Sequence, residues 1–484
     1  MKNKKLLVNI DINSVTTPFL NAIAEKEAPQ KEDLYPFVDS YRDKQVTDVI
    51  FDVFCQYSAT DSTVFDTYAD IYLRREENGI PVDHRVHHQA NYRLQKQCGL
   101  DPYQIWFERC KEVGIRPWMS IRMNDCHCPD EETCFLRTKF FYEARENGWC
   151  IGKKYGYYRY CFDYAIPEVR QKMLDYVSEQ ILRYDVPVLE LDFLREPFCF
   201  DYIEQKDAAE IMNGFMRQVR AAVTAAEQKH GHAIELSVRL IRDVDQNLVL
   251  GYDARTWVKE GLVDSITVTP RWATCDSDMP LEAWRQEFPN VKIYAGIEVK
   301  AGQMVNIDTA TTQGFAANYL AQPIDGIYLF NYFVNPFWTP EQLSGYVEIF
   351  STCASLDTLK DKKLRYVLTE QDLCPVGCVR FKPLPMTVDK EAKTLSVKTS
   401  PLTFSKATDL ILGMKNGTPN DLSITFQGTE LTDFTVTQGT FYLQEKDVTY
   451  FRLPLPANDE IYKTVTLTAK NNTPVTVWYA EVEG

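Results

Sequence analysis

Val188-Leu189-Glu190-Leu191-Asp192-Phe193-Leu194-Arg195-Glu196-Pro197 sets two acids at alternate positions between leucines and then leaves the apolar pattern at Arg-Glu-Pro. A strand with acids on one side and leucines on the other suits a sheet whose outer face is covered by helices. Such a strand is polar only toward an enclosed axis or its mouth. The same parity recurs in Asn9, Asp11 and Asn13, in Ser120, Arg122 and Asn124, in Glu235, Ser237 and Arg239, and in Thr267, Thr269 and Arg271. The residues between them are apolar, as in Ile121 and Met123, Leu236 and Val238, and Ile266 and Val268.

Eight such runs can be read: Leu6 to Asn13, Asp48 to Gln56, Ile115 to Asn124, Val186 to Leu194, Ile234 to Arg242, Ser265 to Arg271, Lys292 to Val299, and Gly326 to Phe333. Stretches with apolar residues three and four apart separate them, for example Pro167 to Val177 with Pro at a first helical position. With a last helix near Pro340 to Leu356, this alternation predicts an α/β protein, a (β/α)8 TIM barrel. Two connections are long, Tyr57 to Leu100 and Asp125 to Ala165. Both follow strand C-termini, where barrel enzymes place substrate loops, so they are expected to act as lids or binding loops around a pocket suited to exo-action. After residue 373 the helical period gives way to Thr, Val, Lys and Asn alternation with turns such as Asn416-Gly417, predicting a barrel over 1–373 and an all-β sandwich over 374–484.

The 484 residues carry 53 Lys and Arg against 68 Asp and Glu, a net charge of −15, which argues against nucleic acid and anionic membrane surfaces as partners. No run is long enough for a membrane helix, and Leu6 to Ile10 is too short for a signal peptide, so a cytoplasmic protein is expected. The 13 cysteines are odd in number and scattered, consistent with buried thiols in a reducing compartment. Cys126-His127-Cys128 with Cys134, and His84, His87 and His88, lack the spacing of a zinc site, so no metal is expected. Neither a Gly-rich phosphate loop nor Gly-x-Ser-x-Gly occurs, and no cofactor is implied.

At Asp192 to Pro197 the chain resembles the large retaining clan of barrel glycoside hydrolases, whose fourth strand ends in Asn-Glu-Pro and whose seventh strand ends in a Glu. The resemblance implies Glu196 as acid/base and Glu298 as nucleophile, with Arg195 standing where the clan has Asn. Pro167 to Arg170, Leu191 to Arg195 and Gly326 to Phe333 together are similar to the glycoside-hydrolase-like barrel family. There the prominent acid is the strand-4 Asp, here Asp192. The expected activity is hydrolysis of a glycosidic bond in a short oligosaccharide or glycoside, by carboxyl groups facing each other across the mouth.

Arg122, Arg195, Arg239, Arg242 and Arg271 gather on strands 3 to 6 of an acidic chain, so an acidic sugar held by bidentate arginines is one expectation. The other is that they neutralise Glu190, Asp192, Glu235 and Asp243, with Glu190 and Asp192 pairing Arg122 and Arg239. Arg122, Asn124, Arg195, Arg239, Arg271, Trp272, Asn331 and Tyr332 form the expected substrate-binding set, Trp272 and Tyr332 as stacking rings. Two alternatives stay open: a sugar-binding barrel without catalysis, and a lyase acting on an acidic sugar. Oligomeric state also stays open, a homo-oligomer included.

Overall fold

The computed structural model describes residues 4–14, 16–79, 88–127, 137–271, 274–301, 305–371, 373–381, 383–438 and 447–484. Among these, the eight expected runs form β1 (Lys5–Ile10), β2 (Asp48–Phe54), β3 (Arg116–Arg122), β4 (Val188–Asp192), β5 (Glu235–Ile241), β6 (Ser265–Thr269), β7 (Lys292–Glu298) and β8 (Gly326–Phe330). Each pairs in parallel with its sequence neighbours, and β8 closes onto β1 through Lys5↔Gly326 to Val8↔Leu329, so the chain is a closed parallel barrel. The helix Pro167–Arg183 between β3 and β4 begins with proline at its first turn and buries Val169, Met173, Tyr176, Val177 and Ile181. The helix Ala208–His230 before β5 ends at Gly231, whose left-handed φ of 78° closes it.

Alternation along the strands sends one set of side chains inward. Leu7, Ile50, Trp118, Val188, Tyr294, Tyr328 and Phe330 make a separate apolar cluster inside the barrel, apart from the large core between strands and helices. Several polar groups inside it are paired. Near the strand starts, Trp118 Nε1 donates to Asp48 (2.8 Å), and Arg116 (3.0 Å) and Lys292 (2.7 Å) hold Glu235. At mid-height Ser120 Oγ (2.8 Å) and Tyr328 OH (2.9 Å) donate to the same oxygen of Glu190. Tyr328 stands on β8, across the barrel from β4, so Glu190 is held from both walls.

Among the described residues no arginine hydrogen-bonds Glu190, and burial, reinforced by Asp192, pushes its carboxyl up to about 7. A folded-state pKa above the unfolded one means that stability is full below about pH 4.5 and is lost as pH rises toward 7. Glu190→Gln keeps an acceptor for Ser120 and Tyr328 and is expected to remove that loss. Urea unfolding at pH 8 should show a gain of at most about 3 kcal/mol, with none at pH 4.

Beyond the barrel, Arg365–Leu368, Val475–Glu483, Lys406–Lys415, Thr449–Asn458 and Thr435–Thr437 line up in one antiparallel sheet, with Met386–Val388 also on Val475–Glu483. Lys393–Lys398, Tyr462–Ala469, Leu422–Phe426 and Thr429–Glu430 form a second. Alternate residues of the second sheet, such as Leu422, Ile424 and Phe426, are buried. The first sheet opens with Arg365–Leu368, ahead of the texture change at 374. The segment after it lies along the barrel mouth: Phe381 packs under Arg242 (4.9 Å) and Val379 O accepts from Gln246 (3.0 Å). Among the described residues no helix is long and apolar enough to cross a membrane.

Candidate active site

The mouth is built on alternating charge. Arg122, at the end of β3, reaches Asp52 at the end of β2 (2.7 Å), Asp11 beyond β1 (2.7 Å) and Asp125 on its own loop (3.0 Å). Arg239 on β5 grips Asp192 on β4 with both Nε and Nη2 at 2.9 Å, and its guanidinium lies 3.8 Å over the Phe330 ring. Arg242 holds Asp276 at 2.6 Å. Arg195 (3.5 Å) and Arg271 (3.3 Å) share Glu196. Each arginine of the expected cluster therefore meets a carboxylate. The expected partners are corrected by the geometry: Asp192 pairs with Arg239, but Glu190 takes hydroxyl donors and Arg122 takes Asp11, Asp52 and Asp125. The register explains it, since Arg122, Asp192 and Arg239 are consecutive Cα partners across β3, β4 and β5. Glu190 lies one inward layer below this row.

Glu196 is wholly buried at the β4 exit. Burial pushes its carboxyl above the ordinary range, against the downward pull of Arg195 and Arg271. Arg195 Nη2 also donates to His127 Nε2 (2.7 Å), His127 Nδ1 hydrogen-bonds Asp125, and Arg271 Nη2 donates to Tyr158 OH (2.9 Å). A continuous chain of contacts thus runs from Arg122 through Asp125, His127 and Arg195 to Glu196 and Arg271.

Glu298 ends β7, beside Phe330 of β8, and is 9% exposed, whereas Asp192 is 1% and Glu196 0% exposed. Two residues before it, Gly296 faces inward against Thr269 of β6. A Cβ there would stand 2.3 Å from Thr269 Oγ1, so the glycine is required for space. Gly296→Ala is expected to cost about 1–3 kcal/mol through overpacking, read as a lower urea midpoint, and to displace Glu298. Following Phe330, Asn331 adopts a left-handed φ of 64°, and its side-chain oxygen is buried with no hydrogen-bond partner among the described residues. A non-glycine residue held in that conformation at a strand end, with an orphaned acceptor, marks a position shaped for contact.

The remaining expected residues are placed elsewhere. Tyr332 is wholly buried in the layer between barrel and helices, its hydroxyl on Thr312 (2.7 Å). Asn124 ties the loops together, donating to Phe162 O (3.0 Å) and Phe198 O (2.9 Å) while accepting from Phe162 N (2.8 Å). Trp272 lies outside the described residues, as do Cys128, Cys134, His84 and His87. Among the described residues no group of three or more His, Cys, Asp or Glu is arranged to hold a metal, and the cysteines are free thiols.

Sequence reading missed Asp52, Asp125, His127 and Tyr158 as members of the mouth. Asp52 shares its inward parity with Asp48, which could have found it. Asp125 and His127 follow Asn124 at the β3 exit, where Asp125 was read only as the start of a long connection and His127 only within the Cys126-His127-Cys128 cluster. Tyr158 comes from the far side of the long loop, in the 3-10 turns of Lys153–Tyr160, and no spacing points to it.

No family model and no curated protein matches the chain. Among solved structures it is similar to a cycloisomaltooligosaccharide glucanotransferase from Paenibacillus sp. (8% identity, TM-score 0.37), covering 99% of this chain and 57% of that one. It is also similar to an α-amylase from Anoxybacillus (9%, TM-score 0.39, 97% of this chain and 98% of that one). A third is the catalytic domain of β-amylase from Paenibacillus polymyxa (8%, TM-score 0.42, 72% of this chain and 98% of that one).

Proposed function

We propose that this barrel is a glycosidase whose substrate enters the C-terminal mouth and whose reacting carboxyls are Glu298 and Glu196. One observation supports it above the others: carboxyls exit both β4 and β7, Glu196 wholly buried and pushed toward its protonated form, Glu298 the more open of the two at 9% exposure. Glycosidic cleavage needs such a division, one acid to protonate the leaving oxygen and one carboxylate to attack the anomeric carbon or activate water. Asp192, clamped on both oxygens by Arg239, is read as the floor that fixes β4. Asn331 is read as a substrate contact beside Glu298.

A second reading is favoured by the same ion pairs: a barrel that binds a glycan without cleaving it, its acids fixed by arginines. Turnover of a panel of nitrophenyl glycosides, neutral sugars and uronides together, alongside calorimetric binding of the corresponding free sugars, separates them. Hydrolysis of a panel member supports the glycosidase. Binding without hydrolysis supports the second reading, and neither binding nor hydrolysis overturns both.

A further inference from the structure

Resting on the assignment of Glu196 above, we propose that His127, in its neutral form, is a positioning residue that holds Arg195 against Glu196, so that one proton at Nε2 uncouples the acid from its arginine. The argument is one of donors and acceptors. Arg195 carries donors and no acceptor, so its 2.7 Å contact with His127 Nε2 requires that this nitrogen be the acceptor. The imidazole proton then sits on Nδ1 and is donated to Asp125, which Arg122 anchors from behind at 3.0 Å. Asp125 thereby selects the tautomer whose free lone pair faces Arg195. Arg195 uses a different nitrogen, Nη1, toward Glu196 at 3.5 Å, so a single guanidinium links imidazole and carboxyl.

The groups that surround His127 define the consequence. Asp125 faces Nδ1 from the β3 exit, Arg195 faces Nε2 and Glu196 lies next to it from the β4 exit, Asp11 adds its charge from the β1 exit, and Arg122 stands behind Asp125. The His127 side chain is 33% exposed, so protons reach it from solvent, whereas Arg195 and Glu196 behind it are buried. A proton on Nε2 replaces an acceptor by a donor and sets two cations face to face. Arg195 must then swing away and leave Glu196 with Arg271 alone.

The test compares pH profiles of kcat and KM for the full chain and two variants on a glycoside that the panel identifies. Wild type is expected to lose kcat about tenfold per pH unit on the acid limb. His127→Gln, which presents a carbonyl oxygen to Arg195 and an amide to Asp125, should restore kcat at pH 7 to within about threefold and lack that limb. His127→Ala should lower kcat about tenfold or more at pH 7 with KM nearly unchanged. An acid limb in His127→Gln that coincides with the wild-type one, or full kcat in His127→Ala, overturns the proposal. The readout that does not need turnover is the nitrogen NMR of the histidine rings. At neutral pH His127 should appear as the Nδ1–H tautomer with Nε2 unprotonated, and an Nε2–H tautomer overturns the proposal even if every glycoside is inert, the result that would instead count against Glu196 as acid.

Discussion

Replacing Glu298 by glutamine is expected, under the proposed glycosidase function, to lower kcat/KM at least about 10³-fold, roughly 4 kcal/mol of lost transition-state stabilisation, on a glycoside that the panel identifies. The two residues are isosteric, and the carboxylate ends β7 at the mouth edge with 9% of its surface open, so folding should be preserved to within about 1 kcal/mol. A glutamine amide neither attacks an anomeric carbon nor removes a proton from water, so the loss should fall on kcat while sugar binding persists. Glu196→Gln should also be slow, but less so on substrates with a good leaving group such as nitrophenolate, because protonation of the leaving oxygen is then less needed. Turnover by Glu298→Gln within tenfold of wild type would remove Glu298 from the chemistry.

The second large effect concerns stability. Arg239→Ala strips both hydrogen bonds from Asp192 in a site where the two side chains are each 2% exposed, leaving a carboxylate buried without its cation. Such a break costs about 3–5 kcal/mol. Phe330 would also lose the guanidinium resting 3.8 Å over its ring. Chemical denaturation should show the full loss in the single variant. The double variant Arg239→Met with Asp192→Leu, which removes both charges and keeps comparable volume, should recover most of it. If the single variant loses under 1 kcal/mol, the pair is not the floor described here. A double variant as unstable as the single one would place the cost in packing instead of in the unpaired charge.

The residues of the second prediction were placed on the inner face of the barrel by period-two reading, whereas Glu298 came from the resemblance to the barrel glycoside hydrolases. Glu190, Asp192, Arg239 and Ser237 were assigned inward because their neighbours Leu189, Leu191, Val238 and Leu240 must face helices, and each of these is fully buried on that side. The eight runs were equally legible, overshooting mainly at the C-terminal ends. Strand 1 was read to Asn13 and ends at Ile10, because a polar residue can continue the alternation after the ladder has stopped. Tyr332 shows the limit of the method. One residue after Asn331 the left-handed turn has broken the parity, and the ring goes into the outer layer against Thr312.

Local sequence thus determined the strand count, the parallel barrel, the inward set of side chains and the residues available at each strand exit, because covering helices tolerate only apolar outer faces and alternation does the rest. Which charge meets which was decided by tertiary structure alone. Strand stagger put Asp192 beside Arg239 and left Glu190 a layer lower among hydroxyls. The side-by-side pairing of β1, β2 and β3 carried Asp11 and Asp52 to Arg122, and the long loop after β3 turned Asp125 back onto Arg122 and brought His127 and Tyr158 to arginines from other strands. Such pairings depend on the shear of the barrel and the path of a loop, which act over the whole sheet and leave no periodic trace in the chain.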